Sequence, residues 1–339
     1  MKKYAISGLA TLLFLLSVIP ITAGTLDEVK KRGTLVCGVS TGLPGFSATD
    51  EKGNWKGLDV DGCRAVAAAV LGDAKKVKYV PLNAKERFTA LQSGEIDVLV
   101  RGTTWTKQRD TALGLNFAGV NYYDGQGFMV SKKLGVKSAT ELDGAIFCIH
   151  AGTTTELNLA DYFSKNNLKY EAIVFDTHDQ AARGFEAGRC DCLTSDQSQL
   201  YALRTHLSKP YDAVVLNEVI SKEPLGPVVR QGDDAWFNVV RWSFFAMVNA
   251  EELRVTSANV DAMKRDSKNP DIRRLLGLDG EKGDSLGLPD DWSYQIIKQV
   301  GNYAESFERN VGKESPLKIA RGLNALWKDG GIQYAPPMR

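Results

Sequence analysis

A rhythm that runs once and then starts over constrains this chain more than any single residue. Residues 34–39 read as a strand. Val60, Cys63, Ala67 and Val70 then recur at helical spacing, with Asp59 placed to cap that helix. Residues 77–80 form a short predicted strand, 84–91 a helix that stops near Gly94, and 96–100 a strand again. After Gly144 the order repeats, with strands over 145–149, 171–175 and 192–194 and helices over 155–163 and 180–186. Such alternation implies mostly parallel sheets with right-handed crossovers. Two tandem units predict an α/β protein of two lobes, each a mostly parallel sheet flanked by helices. Residues 125–131 and 225–230 are expected to be two crossover strands acting as a hinge. They divide the chain into lobe 1, residues 24–126 and 230–339, and lobe 2, residues 127–229. After Asp233 the pattern turns helical, over 236–248, 259–264, 292–307 and 317–326. This helical C-terminal extension is expected to pack on the first lobe, its Trp and Phe side chains serving as core.

The first residues indicate where the chain works. Lys2 and Lys3 precede an apolar run over 9–19 and then Pro20-Ile21-Thr22-Ala23. A charged start, an apolar stretch short for a bilayer and a small-residue cleavage site predict a signal peptide over 1–23, cut near Ala23. No later segment approaches eighteen consecutive apolar residues, so a soluble, exported mature chain is expected. The formal net charge of +1 offers no electrostatic case for nucleic acid or an anionic membrane.

Five cysteines suit an oxidising compartment. They lack zinc-site spacing and the three histidines are scattered, so no metal or cofactor is expected. Cys37 lies on a predicted strand and Cys63 on the next predicted helix. Cys148 lies on another strand, and Cys190 and Cys192 flank the start of a later one. Cys37–Cys63 and Cys148–Cys190 are the expected disulfides, leaving Cys192 a buried free thiol. Cys148–Cys192 is the alternative that spacing leaves open.

Chemistry gathers at two turns that follow apolar runs. Gly102-Thr103-Thr104-Trp105-Thr106-Lys107-Gln108-Arg109 is answered some forty residues later by Gly152-Thr153-Thr154-Thr155. Hydroxyls, free backbone N–H groups and a guanidinium are the groups that hold a small carboxylate. Thr153 and Thr154 precede a helix, whose N-terminal N–H groups attract an anion, although either residue also suits a simple N-cap. Ligands of open α/β sheets bind outside the carboxyl ends of the strands. Both turns lie at such ends. With a later acidic residue for an ammonium, they predict a cleft that receives a zwitterion.

Taken in order, these motifs resemble the periplasmic solute-binding proteins of polar-amino-acid ABC transporters, family 3. The resemblance rests on Gly57-Leu58-Asp59-Val60-Asp61-Gly62-Cys63, on Ile96-Asp97-Val98-Leu99-Val100, on the Thr103-to-Arg109 and Gly152-Thr153-Thr154 turns, and on Gly188-Arg189-Cys190-Asp191 leading to Asp196. Gly62 departs from the aliphatic residue usual there. The tail, with Pro289-Asp290-Asp291-Trp292 and Gln333-Tyr334-Ala335-Pro336-Pro337, is similar to the general L-amino-acid-binding proteins of Gram-negative bacteria.

The resemblance implies a two-lobed (type II) periplasmic binding protein fold and a non-enzymatic receptor. Such a receptor binds L-amino acids, broadly and with a polar or acidic leaning, and delivers them to a membrane ABC permease as a monomer. It assigns Arg109 to the ligand α-carboxylate, with Thr104 and the Gly102 backbone sharing contacts, and Asp196 to the ammonium. Arg87 matches the Arg that related binders of acidic amino acids place near the distal end of the ligand. A surface pairing with Glu86 or Asp97 is its plain alternative. Arg101 is a second cation at the cleft mouth. Leu43 stands where many members have an aromatic, so an aromatic platform is not expected, though Phe46 and Trp55 are candidates for the wall. His150 and His178 are expected in the scaffold, and Asp191 in a structural role. The rival readings are a periplasmic dehydratase of a cyclic acid on the same fold and a sensor feeding a signalling partner.

Overall fold

The computed structural model describes residues 24–339, so the expected signal peptide lies outside them. None of the helices described is long and apolar enough to cross a membrane. Two five-stranded sheets organise the described residues. The first runs Val77–Pro81, Leu35–Val39, Val98–Leu99, Val228–Arg230, Leu115–Phe117, and the second runs Tyr170–Phe175, Ala145–His150, Cys192–Asp196, Gln126–Ser131, Ala213–Val215. In each, the first three strands are parallel and the last two join antiparallel. Leu35–Val39 is buried at every position, as a central strand covered on both faces must be.

The helix Leu58–Leu71 is apolar nearly all round because it is covered on both sides, by the first sheet and by the C-terminal helices Asp234–Glu252 and Trp292–Val300. Asp59 does not cap it. The cap position falls to Gly57, at φ 135°, where a Cβ would lie 2.0 Å from the Phe46 carbonyl oxygen. Disulfides pair Cys37 with Cys63, fastening this helix to its strand, and Cys148 with Cys190. Cys192 is free and buried.

The chain crosses between the sheets along an antiparallel pair, Tyr122–Asp124 against Glu223–Leu225. The expected crossover segments are thereby corrected. Gln126–Ser131 belongs wholly to the second sheet and Val228–Arg230 to the first, because each completes a ladder there. Pro224 stands opposite Tyr123. The outward N–H and C=O of Tyr123 are taken instead by the amide of Asn324, at 2.7 and 3.0 Å.

The tail packs on the first lobe. The buried Trp236 indole donates to the Asp97 carbonyl at 2.9 Å, and Ser306, Arg309 and Asn310 converge on Asp61. Two tail expectations fail. Residues 292–307 form two helices, Trp292–Val300 and Tyr303–Asn310, because Gly301 adopts φ 92° and Asn302 opens a capping box with Glu305. Residues 317–326 form no α-helix: Lys318 at φ 55° and Gly322 at φ 49° leave only a short turn at Gly322–Asn324.

Candidate functional site

Parallel strands end on the same side of their sheets, and the two sheets bring those ends face to face. Gly102, Thr104, Arg109, Arg87, Thr153, Thr154 and Asp196 all line one narrow cavity of about 20 Å³, together with Arg101, Thr155, His178 and Gln199. A wider groove of about 620 Å³ lies elsewhere on the second lobe, near Phe185 and Leu207. Its charged side chains are exposed, whereas Arg87, Arg101 and Asp196 in the narrow cavity are buried.

The first-lobe wall is cationic. Arg109 sits in the helix Lys107–Ala112, which Thr106 caps by accepting from the Arg109 N–H. Its guanidinium donates to the Thr104 carbonyl at 2.9 Å. Arg87 opens the helix Arg87–Gln92 and pairs with neither Glu86 nor Asp97. It turns inward, reaching Thr103 Oγ1 at 3.4 Å and, across the cleft, the Gly152 carbonyl at 3.5 Å. Both guanidiniums lie over the Phe88 ring, Arg87 at 4.7 Å and Arg109 at 5.3 Å from its centroid. Burial pulls Arg87 well below the usual guanidinium range, and the charges of Arg101 and Arg109 push the same way.

The second-lobe wall accepts. Asp196 ends the strand Cys192–Asp196 and occupies the N-cap position of Gln197–Arg204, but its side chain makes no cap bond. It accepts from Gln199 Nε2 at 2.7 Å instead. Burial, then the nearby carboxylates of Asp124 and Glu223, raise Asp196 well above the usual carboxylate range, while Arg109 and Arg87 pull it back. Thr154 is the N-cap residue of Thr155–Lys165, and it also leaves that helix uncapped by its hydroxyl. The Thr153 hydroxyl donates to the His150 carbonyl at 2.7 Å.

One acid was not singled out by sequence. Glu223 is buried in the crossing strand and accepts from Thr104 Oγ1 of the first wall. It also accepts from Thr154 Oγ1 at 2.9 Å and Asn158 Nδ2 at 2.6 Å in the second. The only local signal is an acidic residue set before Pro224-Leu225-Gly226-Pro227. Its partners are brought to it by tertiary structure. The expected wall aromatics go elsewhere: Phe46 packs edge-on against Tyr122 and Trp55 against Tyr79. His178 lines the cavity and contacts His150 at 3.2 Å, and His150 Nε2 reaches the Asp176 carbonyl at 3.0 Å. A carbonyl only accepts, so His150 Nε2 carries a proton. Asp191 accepts from the Ile146 N–H at 2.9 Å, within the second lobe's framework.

The walls meet closely. Lys85 and Asp176 form an ion pair across the cleft at 2.7 Å, and the Thr104 and Thr154 hydroxyls are 3.5 Å apart. Gly152, at φ 73°, permits the approach, since a Cβ there would press on Lys85 and on the Ala84 backbone at 3.2 and 3.4 Å. An enclosed space with guanidiniums on one side and carboxylates on the other can pair both ends of a zwitterion.

Comparison with known proteins agrees with this architecture. Residues 35–259 match the model of the bacterial extracellular solute-binding proteins, family 3, and the chain belongs to that family. It is 63% identical to the general L-amino acid-binding periplasmic protein AapJ of Rhizobium johnstonii, over 94% of each chain. It is 54% identical to the glutamate/glutamine/aspartate/asparagine-binding protein BztA of Rhodobacter capsulatus, over the full length of both. A periplasmic binding protein from Brucella ovis, solved with glutathione bound, superposes with a TM-score of 0.92 at 59% identity, covering 94% of this chain and all of that one.

Proposed function

We propose that this chain is an exported, non-enzymatic receptor that closes its two lobes on an L-amino acid and delivers it to an ABC permease. Residues 24–126 and 230–339 make up one lobe in this reading, 127–229 the other, and the pair Tyr122–Asp124 with Glu223–Leu225 is the hinge. The observation that carries it is the division of charge across the buried cavity, with Arg109 facing Asp196 and Glu223. Arg109 and the first N–H groups of Thr155–Lys165 hold the α-carboxylate, with the Thr104 hydroxyl turning its one proton from Glu223 to join them. Asp196 takes the ammonium, with Glu223 behind it. Burying either end unpaired costs several kcal/mol, so the site rejects ligands that lack one. Each charge has its partner on one wall, and binding therefore requires closure. The names of AapJ and BztA support the ligand class, and a polar or acidic leaning fits Arg87.

Isothermal titration of the mature protein, unfolded and refolded to strip carried-over ligand, tests this against the twenty L-amino acids and their N-acetyl and methyl-ester derivatives. Saturable binding of several polar amino acids, lost on blocking either end, is expected. No binding to any amino acid, or full affinity for a blocked one, overturns it.

A further inference from the structure

Arg101 is the least satisfied cation in the cavity. It is 4% exposed, and its Nε has no hydrogen-bond partner among the described residues. Its charge meets Asp59 only through space, and one oxygen of Asp59 has no partner among the described residues. Arg87, beside it, makes two long hydrogen bonds and also has an orphaned Nε. A guanidinium carries five donors and no acceptor, and a buried one left unpaired is costly. Arg109, by contrast, has the Thr104 carbonyl at 2.9 Å and faces the carboxylates of Glu223 and Asp196.

The charges can be assigned in turn. A zwitterion occupies Arg109 with its carboxylate and Asp196 with its ammonium. Two buried guanidiniums then remain. Asp196 acts on both but is shared with the ammonium, and the other carboxylate beside Arg101 is Asp59, which burial pushes up to about 7, where it is only partly ionised at neutral pH. The remaining positive charge lines the same cavity, among donors that lack acceptors.

We infer that Arg101, acting with Arg87, is a specificity-determining residue that holds a second anionic group of the ligand, so that the site prefers amino acids with an acidic side chain over their amides. This rests on the amino-acid reading above and adds the residue that sets its side-chain preference. A carboxylate offers both guanidiniums charged acceptors, and a bidentate fork suits it better than a carbonyl oxygen does. An amide brings an NH₂ group that faces donors on both sides.

The test is titration of glutamate and glutamine into wild type, Arg101→Gln and Arg101→Lys. Wild type is expected to prefer glutamate. Arg101→Gln should lose about tenfold to a hundredfold in glutamate affinity and under about threefold in glutamine. Arg101→Lys, which keeps the charge without the fork, should fall between. Retained glutamine binding shows that the variant is folded. Should Arg101→Gln fail to fold because Asp59 loses its neighbouring charge, the double variant D59N/R101Q restores neutrality and is read in the same way. An unchanged glutamate-to-glutamine ratio in the variants overturns the inference while leaving the receptor reading intact. Failure of wild type to bind glutamate while it binds other amino acids overturns the inference alone, and failure to bind any of the twenty overturns both.

Discussion

In the first lobe, strand Leu35–Val39 sits between Val77–Pro81 and Val98–Leu99. In the second, Ala145–His150 sits between Tyr170–Phe175 and Cys192–Asp196, and each sheet then adds two antiparallel strands. Despite this shared plan, the strand ends carry opposite chemistry. The first wall presents Arg87, Arg101 and Arg109. The second presents Asp196, threonine hydroxyls and the uncapped start of Thr155–Lys165, and Glu223 bonds to both from the crossing strand. A repeated scaffold thus supplies two facing surfaces, while side chains at the strand ends decide what they hold. Neither wall alone neutralises a zwitterion.

The most direct way to break the comparison is to disarm one wall at a time. Arg109→Ala and Asp196→Ala should each weaken amino-acid binding by about a hundredfold or more, because truncation strands a buried charge on the ligand. The two losses should differ in kind. Asp196→Ala should no longer distinguish an amino acid from its N-acetyl derivative, and Arg109→Ala should no longer distinguish it from its methyl ester. Titration of the four combinations checks this, and identical discrimination in both variants would show that the walls do not divide the ligand as described.

A second contrast concerns what lies behind each wall. Behind the first is Asp59, a buried acid. In the second, His178 lines the cavity with His150 beside it, the two rings packed edge to face with centroids 4.1 Å apart. Burial and the charges of Arg101 and Arg87 favour neutral imidazole, lowering His150 to about 4, and burial with the neighbouring His150 holds His178 well below its usual value. The His150 contribution to stability is therefore complete above pH 6.5 and is lost as pH falls toward 4, by at most about 3 kcal/mol, and His178 acts in the same sense. Asp59 works in the opposite sense: the folded state takes up its proton first, so acid favours folding there. The gap in thermal midpoint between wild type and H150N/H178N should narrow from pH 8 to pH 5. A gap that stays constant would mean that the pair is not held neutral.

How much of this was legible in the sequence depends on how local each signal is. The turns at Gly102–Arg109 and Gly152–Thr155 announced themselves because hydroxyls and a cation stand directly after apolar strands, and parallel topology does the rest. Arg87 and Asp196 were harder, since a cap or a surface pair explains either in isolation; only the resemblance singled them out. Glu223 was hidden because all its meaning is tertiary, with partners 119 and 69 residues away. The lost helix at 317–326 failed for a related reason. Local propensity favoured it, but Arg321 is spent on Glu251 and on the Asn324 carbonyl, which fixes a turn that presents Asn324 to Tyr123.

The smallest expected effect lies at the rim. Lys85 and Asp176 are both well exposed, with side-chain accessibilities of 59% and 66%, so water and salt screen their ion pair even though it spans the cleft. It makes no contact with the cavity residues' charged ends and acts only when the walls are together. Its removal should therefore raise the dissociation rate and leave association nearly unchanged. Lys85→Met should weaken glutamate binding by about two- to threefold at low salt and by less than that near 1 M, where the Debye length is about 3 Å. Wild type and variant should then converge as salt rises, and stopped-flow rates across that range check it. A tenfold or larger loss, insensitive to salt, would show instead that Lys85 reaches the ligand, and the cationic wall would have to be extended outward to include it.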